Sequence, residues 1–231
     1  MSDGTALFPD APRGLGRMMA GGQRAALGGL GAGDKAARQP DDFYPTPADV
    51  THALLLHQRD ALAAKPLVWE PCGGDGAIVD VLRDHGFPVF ATDKTPRRAD
   101  IMAADLFTAQ PSPSLRSATA PTIITNPPFA QAAEVAAHLL DHHRPAYLAL
   151  LLKATWWHAD ARTDLWRRHR PSAVLALTWR PDFLGGGSPT MECAWVVWAG
   201  SHASWRSSRT DYDRLPRPAV DAAGRLTNPM I

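Results

Sequence analysis

Leu67-Val68-Trp69-Glu70-Pro71-Cys72-Gly73-Gly74-Asp75-Gly76 runs a short apolar stretch into a glycine-rich turn. Residues 77–85 then read as a helix, stopped by Gly86, because glycine adopts most easily the left-handed conformation past a helix end. Strand, tight turn and helix in that order open an α/β unit. Glycines in such a turn let a ligand come close to the backbone. Dinucleotide folds share this turn. Phosphate suits it poorly, because the loop has no Lys and both Glu70 and Asp75 would repel an anion.

Downstream, residues 89–94 read as a second strand with an acidic end. A carboxylate roughly 20 residues beyond a glycine turn takes ribose hydroxyls in nucleotide folds, and Asp93 sits at that distance. Residues 100–107 supply a third strand and the turn Ala104-Asp105-Leu106-Phe107, and the Ser- and Pro-rich residues 111–121 a surface loop. Thr122-Ile123-Ile124-Thr125-Asn126-Pro127-Pro128-Phe129 is a buried strand running into a stiff turn, since both prolines lock φ. Asn126 offers a carbonyl and an amide in a fixed direction, and Phe129 a flat apolar face. A planar base with an exocyclic amine needs such an acceptor beside a stacking ring.

Strands follow at residues 146–152, ending at Lys153, then at 173–179 and 193–198. Helices fall at 130–141 and 159–170, and a loop with Gly185-Gly186-Gly187 spans 180–192. Upstream, Thr46 is placed to cap a helix starting at Pro47, with Asp49 completing a capping box. Val50, Ala53, Leu54, His57, Ala61 and Leu62 share one face of that helix. The cap leaves Phe43 and Tyr44 unexplained. The class is therefore α/β: a Rossmann-like sheet of seven strands, mainly parallel. Ligands in such sheets lie outside the carboxyl ends of the strands, a rule that lines up Glu70, Asp93, Asp105 and Asn126 along one edge.

The Asn126-Pro127-Pro128-Phe129 turn resembles the Asn-Pro-Pro-Phe/Tyr motif of amino-methyltransferases, most closely compact phage-type adenine-N6 DNA enzymes. The resemblance covers residues 43–198. It implies an antiparallel last strand and S-adenosylmethionine as cofactor. By the same resemblance Tyr44, Thr46 and Pro47 line the methionine end of that cofactor and Glu70 faces it. Gly74 and Gly76 make room, with Pro71, Cys72 and Lys94 alongside. Asp105 meets the adenine amino group, and Leu106 or Phe107 forms the adenine wall. Asn126 and the Pro127 carbonyl would draw the target amine toward tetrahedral geometry, while Phe129 stacks on the ring. The expected reaction is direct in-line methylation of a flipped-out adenine in DNA, at a short or relaxed site. The same chemistry on RNA, a protein-glutamine methyltransferase and a catalytically silent binding module remain as alternatives. Phe129 in place of Tyr argues weakly against the glutamine enzyme.

A chain of 231 residues, 45% hydrophobic, is long enough for one sizeable α/β domain. The expected division is a basic, glycine-dotted flexible arm over residues 1–40, a methyltransferase domain over 41–200 and a loosely held tail over 201–231. A net charge of +1 does not exclude a basic face. Two cysteines are too few for a disulfide framework or a zinc site. His138 and His142 stand four apart, but with no Glu between them and no third ligand, no metal is expected. No apolar run approaches a membrane span and no secretory segment follows Met1, so a cytoplasmic location without membrane or obligatory protein partner is expected. Trp156 and Trp157, with Arg162, Arg167 and Arg180, are the candidate nucleic-acid contacts. The competing reading of these arginines is an ordinary solvated surface.

Overall fold

All three residues of β1 (Val68–Glu70) are buried, and the strand lies inside the sheet, parallel to β2 (Val89–Asp93) on one side and to β4 (Thr122–Thr125) on the other. The computed structural model describes residues 43–64, 66–108, 120–200 and 209–228. The arm expected over residues 1–40, most of the loop expected over 111–121 and the first residues of the expected tail lie outside them. All described residues belong to the unit spanning Gln39–Ile231.

The sheet has eight strands in the order β3-β2-β1-β4-β5-β7-β6-β8. The short β3 (Met102–Ala103) edges it beside β2. On the other side β4 pairs with β5 (Tyr147–Lys153) in parallel. β7 (Cys193–Ala199) is antiparallel to both β5 and β6 (Ala173–Leu177). The chain thus winds outward in one direction through β1, β2 and β3, then reverses through β4 and β5. The reversal lies between β1 and β4, where such sheets leave a crevice at the carboxyl ends of their strands.

The mainly parallel sheet with an antiparallel β7 is as expected, but an eighth strand corrects the expectation of a loosely held tail. β8 (Asp211–Leu215) pairs with β6 in parallel, and Leu215 is fully buried. Beyond it, Arg217 Nε donates to Asp49 Oδ2 at 2.7 Å, and His52 Nε2 lies 2.8 Å from the Gly224 carbonyl. These two bonds hold the segment against α1 (Ala48–His57).

Alternating side chains of β5 divide the core in two. Tyr147, Ala149 and Leu151 join the cluster containing Leu54 of α1 and Leu82 of α2 (Ala77–Asp84). Leu148, Leu150 and Leu152 join that of α3 (Ala132–His138) and Leu165 of α4 (Thr163–Arg168). This period of two puts helices on both faces of the sheet. The helix expected over residues 130–141 passes into a wider π turn at Leu139–His143. Three tryptophans are sealed inside with their N–H groups satisfied: Trp69 donates to Thr92 Oγ1, Trp195 to the Val50 carbonyl and Trp198 to the His169 carbonyl. Burying an indole this way contributes roughly 4–6 kcal/mol before the entropy cost. No helix among the described residues is long and apolar enough to cross a membrane.

The start of α1 differs from expectation. Pro47 occupies the cap position and no side chain caps the helix. Asp49 closes no capping box, because it turns inward to Arg217, and Thr46 is taken by a partner from β4.

Candidate active site

That partner is Asn126. Its Nδ2 donates to Thr46 Oγ1 at 3.0 Å, which leaves its Oδ1 buried and without a hydrogen-bond partner among the described residues. Buried polar atoms are rarely left so. β4 delivers Asn126 to the sheet edge, the two prolines hold the turn, and the Pro128 carbonyl accepts from Gln131 N at 2.9 Å to start α3. The result is a fixed acceptor on a residue that lines a cavity of about 590 Å³, within the usual range of ~300–1,000 Å³ for small-molecule sites.

The cavity runs across the carboxyl ends of β1, β2 and β4. At one end Phe129 meets Phe183 edge-on, 6.0 Å between ring centroids at 84°. Tyr44 meets Phe183 at 6.4 Å and 69°, and Lys153 Nζ stands 5.0 Å from the centre of the Phe129 ring. Phe183, on the glycine-containing loop before β7, and Lys153, at the end of β5, were not among the residues singled out from sequence. Neither lines the cavity; both meet Phe129 from far along the chain. The one local signal was a lone aromatic residue in the Arg180-Pro181-Asp182-Phe183 turn.

At the other end the glycine turn is braced by Asp93. Its Oδ2 accepts from Gly74 N at 2.8 Å and its Oδ1 from Thr95 N at 2.7 Å. Gly74 has φ +52°, and a Cβ there would lie 2.5 Å from the Phe43 ring. Gly76 has φ +90° and packs against the Arg98 guanidinium. Both positions need glycine for their left-handed φ, and Gly74 also for the Phe43 ring; Gly74 lines the cavity and Gly76 does not. Arg97 stacks over the Phe43 ring at 4.0 Å.

Glu70 is fully buried. Its Oε1 accepts from Cys72 N at 2.9 Å and from the Thr125 hydroxyl, while Oε2 has no partner among the described residues. Burial pushes its carboxyl up to about 8, with the nearby Asp93 charge adding to the effect against both hydrogen bonds. Cys72, half-buried on the cavity wall, is raised far above the usual thiol range, first by burial and then by Glu70, so it stays a neutral thiol.

Asp105 Oδ1 accepts from Phe107 N at 3.0 Å, and Lys94 Nζ lies 3.2 Å from its other oxygen. The Phe107 amide, then Lys94, hold its carboxyl below the ordinary value. Leu106 and Phe107 form the wall beside it, and Phe107 packs edge-on against His138 at 5.2 Å. Pro71, Tyr44 and the Asn126 turn share the same cavity. Pro47 is not on its wall. Among the described residues no cluster of three or more His, Cys, Asp and Glu is placed to hold a metal ion.

The expected nucleic-acid contacts lie apart from this group. Trp156 is 6% exposed and belongs to the core, so it is not offered to a base. Arg162 donates to the Trp156 carbonyl and stacks on its ring. Trp157 is half-buried against Trp166. Arg167 pairs with Asp164 at 3.5 Å and Arg180 with Glu192 at 2.8 Å, both on the surface.

No family model matches the sequence, and no curated protein is similar to it at a significant level. Solved structures are similar in fold. One is described as a candidate RNA methyltransferase from Pyrococcus horikoshii, at 11% identity and a TM-score of 0.52 over 68% of this chain and 86% of that one. A modification subunit of a type I restriction enzyme from Vibrio vulnificus aligns at 14% identity and a TM-score of 0.46, over 87% of this chain and 51% of that one. A 23S rRNA methyltransferase aligns at 15% identity and a TM-score of 0.41, over 62% of this chain and 68% of that one. The first of these likenesses establishes the fold as the Rossmann-like methyltransferase sheet.

Proposed function

We propose that this chain binds S-adenosylmethionine and methylates the N6 amine of adenine in DNA, at a short or relaxed site. The observation that carries the reading is Asn126 Oδ1: a buried, unpartnered acceptor, aimed by Thr46, beside an aromatic wall and in one cavity with the glycine turn. The residues present suit the cofactor. Asp93 and Asp105 offer acceptors at the nucleoside end, Leu106 and Phe107 an apolar wall, and Glu70 a buried carboxyl near the glycine turn. When bound, the cofactor supplies an electrophilic methyl on a sulfonium.

The chain's own part is positioning. An adenine amine is a weak nucleophile because its lone pair is delocalised into the ring. Asn126 Oδ1 and the Pro127 carbonyl would each accept one amine hydrogen, bending the nitrogen toward tetrahedral geometry and localising the lone pair. Phe129 would stack on the flipped ring, contributing about 1–3 kcal/mol, with Phe183 braced edge-on against it. Asn126 is no base, so the proton leaves after attack, and orientation with fixed dipoles supplies most of the rate. The base must leave the duplex to reach this recess.

Labelled methyl donor offered with DNA, RNA and a glutamine-bearing protein tests the reading. Label on N6 of DNA adenine is the expected result. Label on RNA adenine alone would move the substrate, and label on none would leave a binding module.

A further inference from the structure

Glu70 lines the cavity, fully buried with Oε2 unpartnered among the described residues. Three groups face it: the Thr125 hydroxyl from β4, Cys72 in the glycine turn, and Asp93 at the end of β2. Farther along the wall lie Asp75, Lys94, Arg97, Asp105 and Glu134. No cation contributes to its surroundings. A buried carboxylate lacking a cation is unstable and takes up a proton instead. Burial accordingly raises this group to about 8, so at neutral pH it is mostly the neutral acid. Its two hydrogen-bonded neighbours fix Oε1 and leave Oε2 without a partner among the described residues.

The inference rests on the methyltransferase reading. We propose that Glu70 distinguishes methyl donor from product by charge, giving up its proton to solvent when the sulfonium enters and taking one back when only the uncharged thioether is left. Donor and product carry the same ammonium and carboxylate and differ by one positive charge at sulfur. In a desolvated site that charge favours the ionised form of a nearby carboxyl. After transfer the charge is gone, a proton from solvent returns to Glu70, and the product loses the attraction that held the donor. The chain would thereby avoid being trapped by its own product.

The test is titration calorimetry of the full chain with S-adenosylmethionine and with S-adenosylhomocysteine, in two buffers of different ionisation enthalpy. The wild type should release close to one proton more with the first ligand than with the second. Its affinity for the first should rise up to about tenfold per unit between about pH 6 and 8, with little change for the second. Glu70→Gln should lose the difference in both readouts while still binding the second ligand, which also shows that its cavity is folded. Should that variant fail to fold, the Glu70 carboxyl resonance of labelled wild type must move to lower pH with the first ligand more than with the second. Equal proton release by the two ligands, release persisting in the variant, or equal movement of the resonance would overturn the proposal alone. Binding of neither ligand to the wild type would overturn the methyltransferase reading with it.

Discussion

At the scale of the residue, the site is set by atoms that burial has left without partners. Asn126 Oδ1 has no other task, so its use should appear in turnover rather than binding. Asn126→Ala is expected to lower kcat by at least about 100-fold, the order seen when one preorganised polar group is lost. Cofactor affinity by calorimetry should stay within about threefold; a variant with near-normal turnover would remove Asn126 from the chemistry. Asp93 should behave oppositely. It holds Gly74 and Thr95 through their amides, so Asp93→Ala should weaken cofactor binding at least about tenfold, or ~1.4 kcal/mol. Equal binding losses in the two variants would undo this division of roles. Glu70 carries a stability signature of its own. Its folded carboxyl sits at about 8 against an ordinary 4.5, so the folded state binds the extra proton. Stability should therefore fall as pH rises from the ordinary value to the folded one, and level off above it, by a few kcal/mol in all. In urea unfolding of wild type and Glu70→Gln across that window, the difference in stability between the two should carry this slope, because the lowered His138 and His143 contribute to both alike.

At the scale of the element, the clearest case is the segment from β8 onward. Arg217 neutralises Asp49, which is 2% exposed, while Arg217 itself is largely in water. Arg217→Ala leaves a buried acceptor without its donor, and should cost about 1–2 kcal/mol in urea unfolding. Arg225→Ala, which removes only a surface pair with Asp221, should cost under about 0.5 kcal/mol. Equal effects would mean the segment does not brace α1. The same segment shows why some elements were legible in the sequence and others were not. β5 is a run of apolar residues buried on both faces, and β1 and β4 each carry two adjacent buried apolar residues beside a turn, so local composition marks them. β8 buries only Leu215, and Asp-Tyr-Asp-Arg carries no apolar pattern. Thr46 had the local chemistry of a helix cap, but a partner 80 residues away took its hydroxyl. Trp156 and Trp157 look alike in sequence; which of them is core depends on how the stretch between β5 and β6 folds back, a tertiary fact. Phe183 was missed for the same reason. The residues that the cavity brings together, Glu70, Asp93, Asp105 and Asn126, lie at or just past strand ends, where topology alone dictates position.

At the scale of the whole molecule, the question is how a sheet this fully used would select DNA, the substrate proposed above. Helices cover both faces, and the crevice between β1 and β4 is taken by the cavity. Among the described residues, what remains for a duplex is the short segment between β5 and β6 and the loop before β7. These offer Arg167 and Arg180, each in an exposed pair with a carboxylate. Such pairs contribute at most about 1 kcal/mol, so a phosphate can displace them at little cost. Arginines used this way position a protein without reading bases. A target of a few base pairs at most, with strongly salt-dependent binding, follows. The double variant Arg167→Ala/Arg180→Ala should weaken binding to all sequences alike and make the slope of log affinity against log salt shallower by about 2, one counterion for each lost phosphate contact. Its methylated positions, mapped by sequencing treated DNA, should match those of the wild type. Each base pair truly read contributes about 1–3 kcal/mol of discrimination, and a strict site of six or more would require several such contacts from surfaces that present none. Finding one would place base readout in residues beyond the described segments, and a change of site in the double variant would make these arginines readers rather than anchors.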